Sequence, residues 1–438
     1  MACNNGVEEQ NDYPISQLEP DTEVVTSNCG TNTPQKGEEI NNIPMAVMDF
    51  SIRLLQTEGE HVFFNSGGGM NRLMSPFSVL TAMSMVGNGA EGETKAQIEE
   101  VLGISIENLN AFISRYQKNL PQEEGNRFHM ANSIWMTEDE RFTVKEEFLN
   151  TNKEYYGADI FEKPFDQTTV SDINQWVEEH TDGLIKEILN EIPRAAVMYL
   201  VNALVFDAKW EETYEESDIR EAVFTTSEGF EQKAELMFSS EYMYLEDEYA
   251  TGFIKYYEGR DYAFVGLLPN EDISLYEYIS GLSGESLYHL LLNAEEVKTN
   301  VWLPKFEVAY QTELKDTLGA MGMSDVFDVR KADLSGLGTS THGNLYVDRV
   351  IHKSYIEVSP VGTKAGAATA VEIKDECALI EPEEVKEVRL DRPFLYMIID
   401  CDMNQPIFIG TVNCVSAYRC GIIDDLCGYP PVEECGLE

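Results

Sequence analysis

The order of the periodic segments predicts an α+β fold. Helical patterns crowd the first part of the chain, strand patterns the last, and no regular strand–helix–strand alternation joins them. Composition agrees, since 438 residues that are 43% hydrophobic and 10% aromatic can bury a large core. No run of eighteen apolar residues occurs, so no membrane-spanning helix is expected.

Residues 1–42 are rich in Asn, Glu, Thr, Gly and Pro without apolar periodicity and read as a disordered acidic tether. The globular domain is expected to start at Ile43, where Met45, Val47, Met48, Phe50, Ile52, Leu54 and Leu55 crowd one broad helical face. A second helix is expected from Ser75 through Val86, with Ser75 as its cap and Pro76 in the first turn. A third spans Glu93 to Leu102 and is stopped by Gly103. Thr169 to Asn190 reads as one amphipathic helix, with Ile173, Trp176, Val177 and Leu184 on its inner stripe. The nearly continuous apolar run from Val197 to Phe206 suits a buried central strand. Further strands are expected at 253–268, 299–308, 343–358, 388–400 and 405–414, with helices near 274–292 and 311–323. The domain closes at Ser416, leaving an acidic tail, 417–438, that carries Cys420, Cys427 and Cys435.

Charge and motif content exclude several functions. With 31 basic and 78 acidic residues the net charge is −47, which argues against nucleic acid or an anionic membrane as partner. The same charge gives solubility and would steer a basic partner. The six histidines form no HExxH pair, and no GxSxG elbow and no CxxC pair exist, so neither an enzyme nor a metal or cofactor site is expected. Met1-Ala2-Cys3-Asn4 lacks the charged and apolar regions of an export signal. Cys3, followed by a long polar stretch, is similar to a bacterial lipoprotein start, which would place the protein outside the cytoplasm, extracellular or at the cell surface, lipid-anchored through Cys3 in its native precursor. Paired cysteines among Cys414, Cys420, Cys427 and Cys435 would fit that oxidising setting.

One segment carries more information than its neighbours. Residues 362–374, taken as an extended strand, put Thr363, Ala365, Ala367, Thr369, Val371 and Ile373 on one face. Lys364, Gly366, Ala368, Ala370, Glu372 and Lys374 line the other. The first four inward side chains are small, so they could enter an existing sheet without the roughly 1–3 kcal/mol that overpacking costs. Asp375 to Glu384, which follows, is charged and carries Pro382, as an exposed loop should. The alternative is an ordinary edge strand with its connection.

An ordered series of short motifs favours the first reading. Ser75-Pro76-Phe77-Ser78, Gly92-Glu93-Thr94-Lys95, Ala131-Asn132-Ser133-Ile134-Trp135 and Ile173-Asn174-Gln175-Trp176-Val177 come first. Leu200-Val201-Asn202-Ala203-Leu204 with Lys209-Trp210, Leu303-Pro304-Lys305-Phe306 and Ala332-Asp333-Leu334-Ser335-Gly336 follow. Val350-Ile351-His352-Lys353, Arg392-Pro393-Phe394 and Phe408-Ile409-Gly410 complete the series. Over residues 43–416 the chain resembles the serpin family of serine protease inhibitors, as a bacterial, inhibitory member.

The resemblance implies three β-sheets, about nine helices and an exposed reactive-centre loop at 362–385. It implies a shutter in which Ser75, Asn202 and His352 share buried hydrogen bonds beneath the main sheet, and a breach at Trp210 where loop insertion begins. The hinge matches the family at Gly362, Thr363, Ala365, Ala367, Ala368 and Thr369. It departs at Lys364, at Gly366, and at Pro360-Val361, where acidic residues are common; Pro360 would end the preceding strand early or slow insertion. A protease would attack the loop, form an acyl-enzyme, and be carried across the molecule as the loop enters the sheet. The family's loop length puts the scissile bond at Glu376–Cys377, or one residue later at Cys377–Ala378. The latter suits an elastase-like serine protease, and the former a glutamyl-specific one; a cysteine protease is a further alternative. The expected partner is that protease in a covalent 1:1 complex with a monomer. A non-inhibitory carrier or chaperone of the same fold is the rival reading.

Overall fold

The computed structural model describes residues 43–66, 69–120, 126–363 and 385–415. Among them are nine α-helices and three β-sheets, the α+β class that the sequence predicts. The tether, the tail and most of the predicted loop lie outside the described residues, among them Ala365, Ala367, Ala368, Thr369, Glu376, Cys377 and Ala378.

The first helix, α1 (Ile43–Ser66), buries Val47, Met48, Phe50, Ile52, Leu54 and Leu55 on one broad face. Its other face carries the Asp49–Arg53 ion pair and the exposed Glu60, the pattern of an amphipathic helix laid on a core. Strand β1 (Arg72–Met74) leads into α2 (Pro76–Gly87), where the Ser75 hydroxyl caps the Ser78 N–H at 3.3 Å and Pro76 opens the first turn. Helix α3 (Gly92–Leu102) stops at Gly103, whose φ of 71° is left-handed. Then come α4 (Ile106–Lys118), β2 (Asn126–Thr137), β3 (Phe142–Val144), α5 (Glu146–Tyr156) and β4 (Asp159–Lys163).

Helix α6 (Gln167–His180) ends ten residues before the predicted Asn190. Asp182 and Gly183 take φ of 49° and 77°, which no helix can continue through. The next residues are pinned by Asn174, whose side-chain oxygen accepts from Ile188 N and Leu189 N and whose amide donates to Leu189 O. Leu184 is therefore half-buried off the helix rather than on its stripe.

Strand β5 (Met198–Lys209) is the predicted apolar strand. Next are β6 (Ile219–Thr225), β7 (Glu231–Glu246), β8 (Ala250–Tyr256) and β9 (Tyr262–Pro269), so the predicted strand 253–268 is a hairpin. Helices α7 (Leu275–Gly281) and α8 (Gly284–Leu292), strands β10 (Glu295–Pro304) and β11 (Phe306–Glu313), and helix α9 (Lys315–Ala320) follow. The predicted strand 343–358 is regular only as β13 (Ile351–Val358), after the short β12 (Gly338–Ser340). A two-residue strand, β14 (Gly362–Thr363), precedes β15 (Lys386–Arg389), β16 (Phe394–Asp400) and β17 (Gln405–Val412).

The largest sheet runs β1-β17-β16-β9-β8-β7-β10-β15, with β6 on β7. The second runs β11-β13-β14-β5-β2-β4, and β12 pairs with β3. The main core fills the space between the two large sheets and α1–α4. A smaller apolar cluster lies on the outer face of the second sheet, where Val170, Ile173, Trp176 and Val177 of α6 cover Trp135, Val201 and Ala203.

Candidate functional site: a hinge at the mouth of a parted sheet

Among the described residues the second sheet is paired along one side of β5 and only in part along the other. Strand β2 pairs with β5 along its length, from Asn126–Ala208 to Met136–Met198. Toward β13, the described residues bridge β5 at its end, where Gly362 faces Lys209 and Thr363 faces both Ala208 and Val358. Below that row lies a cavity of about 510 Å³ lined by Leu200, Asn202, Val350 and His352 and floored by Val79 and Met83 of α2.

The hinge is held from three directions. A tight turn at Ser359–Gly362 reverses the chain after β13, with Ser359 N and Oγ both donating to Gly362 O at 2.9 and 3.0 Å. Pro360 belongs to this turn, which its fixed φ suits. The strand before it ends at Val358, two residues ahead of the proline. Gly362 passes so close to β5 that a Cβ would lie 2.1 Å from Ala208 O, so no other residue fits there without backbone movement. Thr363 is buried, and its hydroxyl lies 2.5 Å from that of Tyr257. Trp210 completes the seat: its backbone N–H donates to Val361 O at 3.0 Å and its indole N–H to Ser359 O at 2.9 Å. Its ring stacks on Tyr257 with centroids 4.5 Å apart.

Beneath the opening runs a polar network. His352, buried, accepts the Ser75 backbone N–H at Nε2, 3.1 Å away, which fixes the imidazole proton on Nδ1. Burial lowers its pKa to about 4, the nearby Glu58 carboxylate opposing only in part. The Ser75 hydroxyl donates to Ile407 O at 3.0 Å, and that of Ser354 to Leu73 O at 2.8 Å. Asn202 does not touch Ser75 or His352. It accepts from the Ser78 hydroxyl and donates to Asn132 Oδ1 at 2.8 Å, and Asn132 donates in turn to Tyr156 O. Asn202 is also only half-buried, because its strand edge faces the cavity.

Of the predicted residues, then, the structure brings Ser75 and His352 together, links Asn202 to them through Ser78, and sets Trp210, Gly362 and Thr363 around the mouth. Sequence reasoning passed over Ser78, Asn132, Ser354, Tyr214 and Tyr257. Ser78 was detectable, since it stands three residues after Ser75 on the same helical face. The others come from strands and connections far apart in sequence. Among the described residues no group of three or more His, Cys, Asp or Glu could hold a metal ion, and no helix is long and apolar enough to cross a membrane.

The sequence and the fold as a whole are matched by known proteins. Residues 45–415 match the family described as Serpin (serine protease inhibitor). The chain belongs to the serpin family. A thermophilic serpin, tengpin, crystallised in its native state, is 43% identical to this serpin with a TM-score of 0.79, over 89% of this chain and 97% of that one. The latent state of tengpin matches with a TM-score of 0.75. An uncharacterized serpin-like protein of Thermococcus kodakarensis is 32% identical over 79% of this chain and 81% of its own. Leukocyte elastase inhibitor A of Mus musculus is 30% identical over 83% and 97%. The fold is thus the serpin fold, and membership places the chain in a family whose members generally act as serine protease inhibitors and not as enzymes.

Proposed function

We propose that this serpin is inhibitory and traps an elastase-like serine protease by suicide cleavage of its loop at Glu376–Cys377 or Cys377–Ala378. The observation that carries the reading is the seat of Thr363, inward-facing and hydrogen-bonded as the first residue of a strand that has room to continue. Extending its register puts Ala365 between Phe206 and Ile356, Ala367 between Leu204 and Ser354, and Thr369 between Asn202 and His352. Small side chains would then meet the core rows, and a hydroxyl would reach the two polar groups that border the opening. Ten or so new strand hydrogen bonds, at roughly 0.5–1.5 kcal/mol each, would release on the order of ten kcal/mol. Pro360 does not oppose this, because it lies in the turn ahead of the inserted strand.

In this reading Ser75, Asn202 and His352 are the shutter that lets the strands part, and Trp210 marks the point of entry. The test is to mix the protein with pancreatic elastase, neutrophil elastase, a glutamyl protease and subtilisin. An SDS-stable band at the summed mass is expected with an elastase, and mass spectrometry of the released peptide locates the bond. Clean cleavage by all four without such a band would overturn inhibition.

A further inference from the structure

The seat of the hinge has a buried charge that the trapping mechanism leaves unexplained. Lys255 of β8 is 2% exposed, within the buried run Phe253 to Tyr257. Its ammonium lies 2.7 Å from Glu241 Oε1, 4.7 Å from the centroid of the Tyr214 ring and 5.5 Å from that of Trp210. Glu241 also accepts from the Ser239 hydroxyl at 2.7 Å, and that hydroxyl lies 3.2 Å from the Tyr214 phenol. Tyr214 is therefore gripped at its face by the cation and at its oxygen by Ser239, which in turn donates to the cation's partner Glu241.

Those two rings belong to the residues that dock the hinge turn. Trp210 takes the carbonyls of Ser359 and Val361, and the Tyr214 backbone N–H donates to Pro360 O at 2.9 Å. Three successive carbonyls are thus captured by two residues, both resting on one ammonium. Filling space alone would be served by leucine or methionine, since a buried ion pair adds little or nothing to stability over an apolar replacement. What it does supply is orientation, because a cation attracts ring faces and a carboxylate fixes the cation.

We propose that Lys255 is a positioning residue for loop insertion: its ammonium, anchored by Glu241, holds Trp210 and Tyr214 in the pose that docks the Ser359–Val361 turn and seats Thr363 in the sheet mouth. The consequence for inhibition rests on the trapping reading; the consequence for the turn does not.

Two measurements on the full chain test this. Hydrogen exchange should show the Trp210 and Tyr214 amides opening about tenfold faster in Lys255→Met, with the amides of β16 unchanged. Lys255→Arg, which keeps charge and cation–π contact, should restore most of the protection. With a protease that wild type traps, Lys255→Met should send a larger fraction of encounters to plain cleavage at an unchanged rate of loop attack. If Lys255→Met does not fold, Tyr214→Leu removes one ring and keeps the ion pair, and should raise exchange at Trp210 in the same way. Unchanged exchange at these amides, or an equal rise throughout β16, would make Lys255 ordinary packing and overturn the assignment. Failure of wild type to trap any protease would defeat the trapping reading and leave the exchange result to stand by itself.

Discussion

His352 and Asp400 are both buried and both pushed toward their neutral forms, yet they couple stability to pH in opposite directions. Burial holds His352 neutral with a pKa of about 4, so the unfolded chain, near 6.5, takes up a proton first as pH falls. Stability from this group is complete above pH 6.5 and is lost between there and 4. Asp400 accepts from Tyr116 and from Met403 N, but burial raises its pKa to about 7 against 3.8 unfolded. Its contribution is complete below pH 4 and is lost as pH rises to 7. Each window amounts to roughly 3–4 kcal/mol, so between pH 4 and 6.5 the two nearly cancel. Asp400→Asn should remove one side of the balance. Denaturant titrations of the variant, compared with wild type, are expected to show stability falling by about 3 kcal/mol from pH 6.5 to 4 through His352. Parallel curves for the two proteins would mean that Asp400 does not titrate in this range.

At the scale of elements, the outcome turns on two residues of β14. Gly362 has no room for a Cβ beside Ala208 O, and Thr363 is buried with its hydroxyl held against that of Tyr257. On the trapping reading, Gly362→Val and Thr363→Arg should therefore leave the loop cleavable but prevent its entry, so that the variants behave as substrates. On denaturing gels the cleaved band should replace at least nine-tenths of the complex (about a tenfold change in partition, or roughly 1.4 kcal/mol between the two branches). Retention of full complex by Thr363→Arg would show that insertion starts further along. The inward phase of Thr363 was legible in the sequence because alternation in a strand needs only neighbours. Caps were legible for the same reason, at Ser75 and Gly103. Helix α4 was within reach, since Ser105 caps it and Leu109, Phe112, Ile113 and Tyr116 follow helical spacing. Strands β6 and β7 were not, because their exposed positions mix charged with large apolar residues, Arg220, Glu221 and Val223 on β6 and Glu231, Lys233 and Tyr242 on β7, which blurs the alternation. The link from Ser78 through Asn202 to Asn132 could not be read at all: it joins α2, β5 and β2 across gaps of 124 and 70 residues, and only pairing of the strands brings those amides together.

For the molecule as a whole, the trapping reading makes strand pairing along β5 beyond Ala208 an interaction completed only after cleavage, in a protein with net charge −47. Severing the loop should let the gap close; ten kcal/mol at about 2 °C per kcal/mol predicts that the nicked protein melts on the order of 20 °C higher. A scan of nicked against intact protein that shows no rise would remove the metastable state. The charge acts earlier, on encounter. At 0.1 M salt its field decays over about 10 Å, so a protease approaching the acidic surface is steered only within the last layer of solvent. A target with a basic surface should then associate faster by one to two orders of magnitude at 0.02 M than at 0.5 M salt, and an acidic target should show the reverse trend. The fraction of encounters that end in trapping should stay constant across the same range, because insertion pairs backbone groups inside the sheet, where salt does not reach. Stopped-flow association measured beside gel partition separates the two quantities. A partition that moved with salt while association stayed flat would put the charge on the wrong step and tie it to strand entry instead.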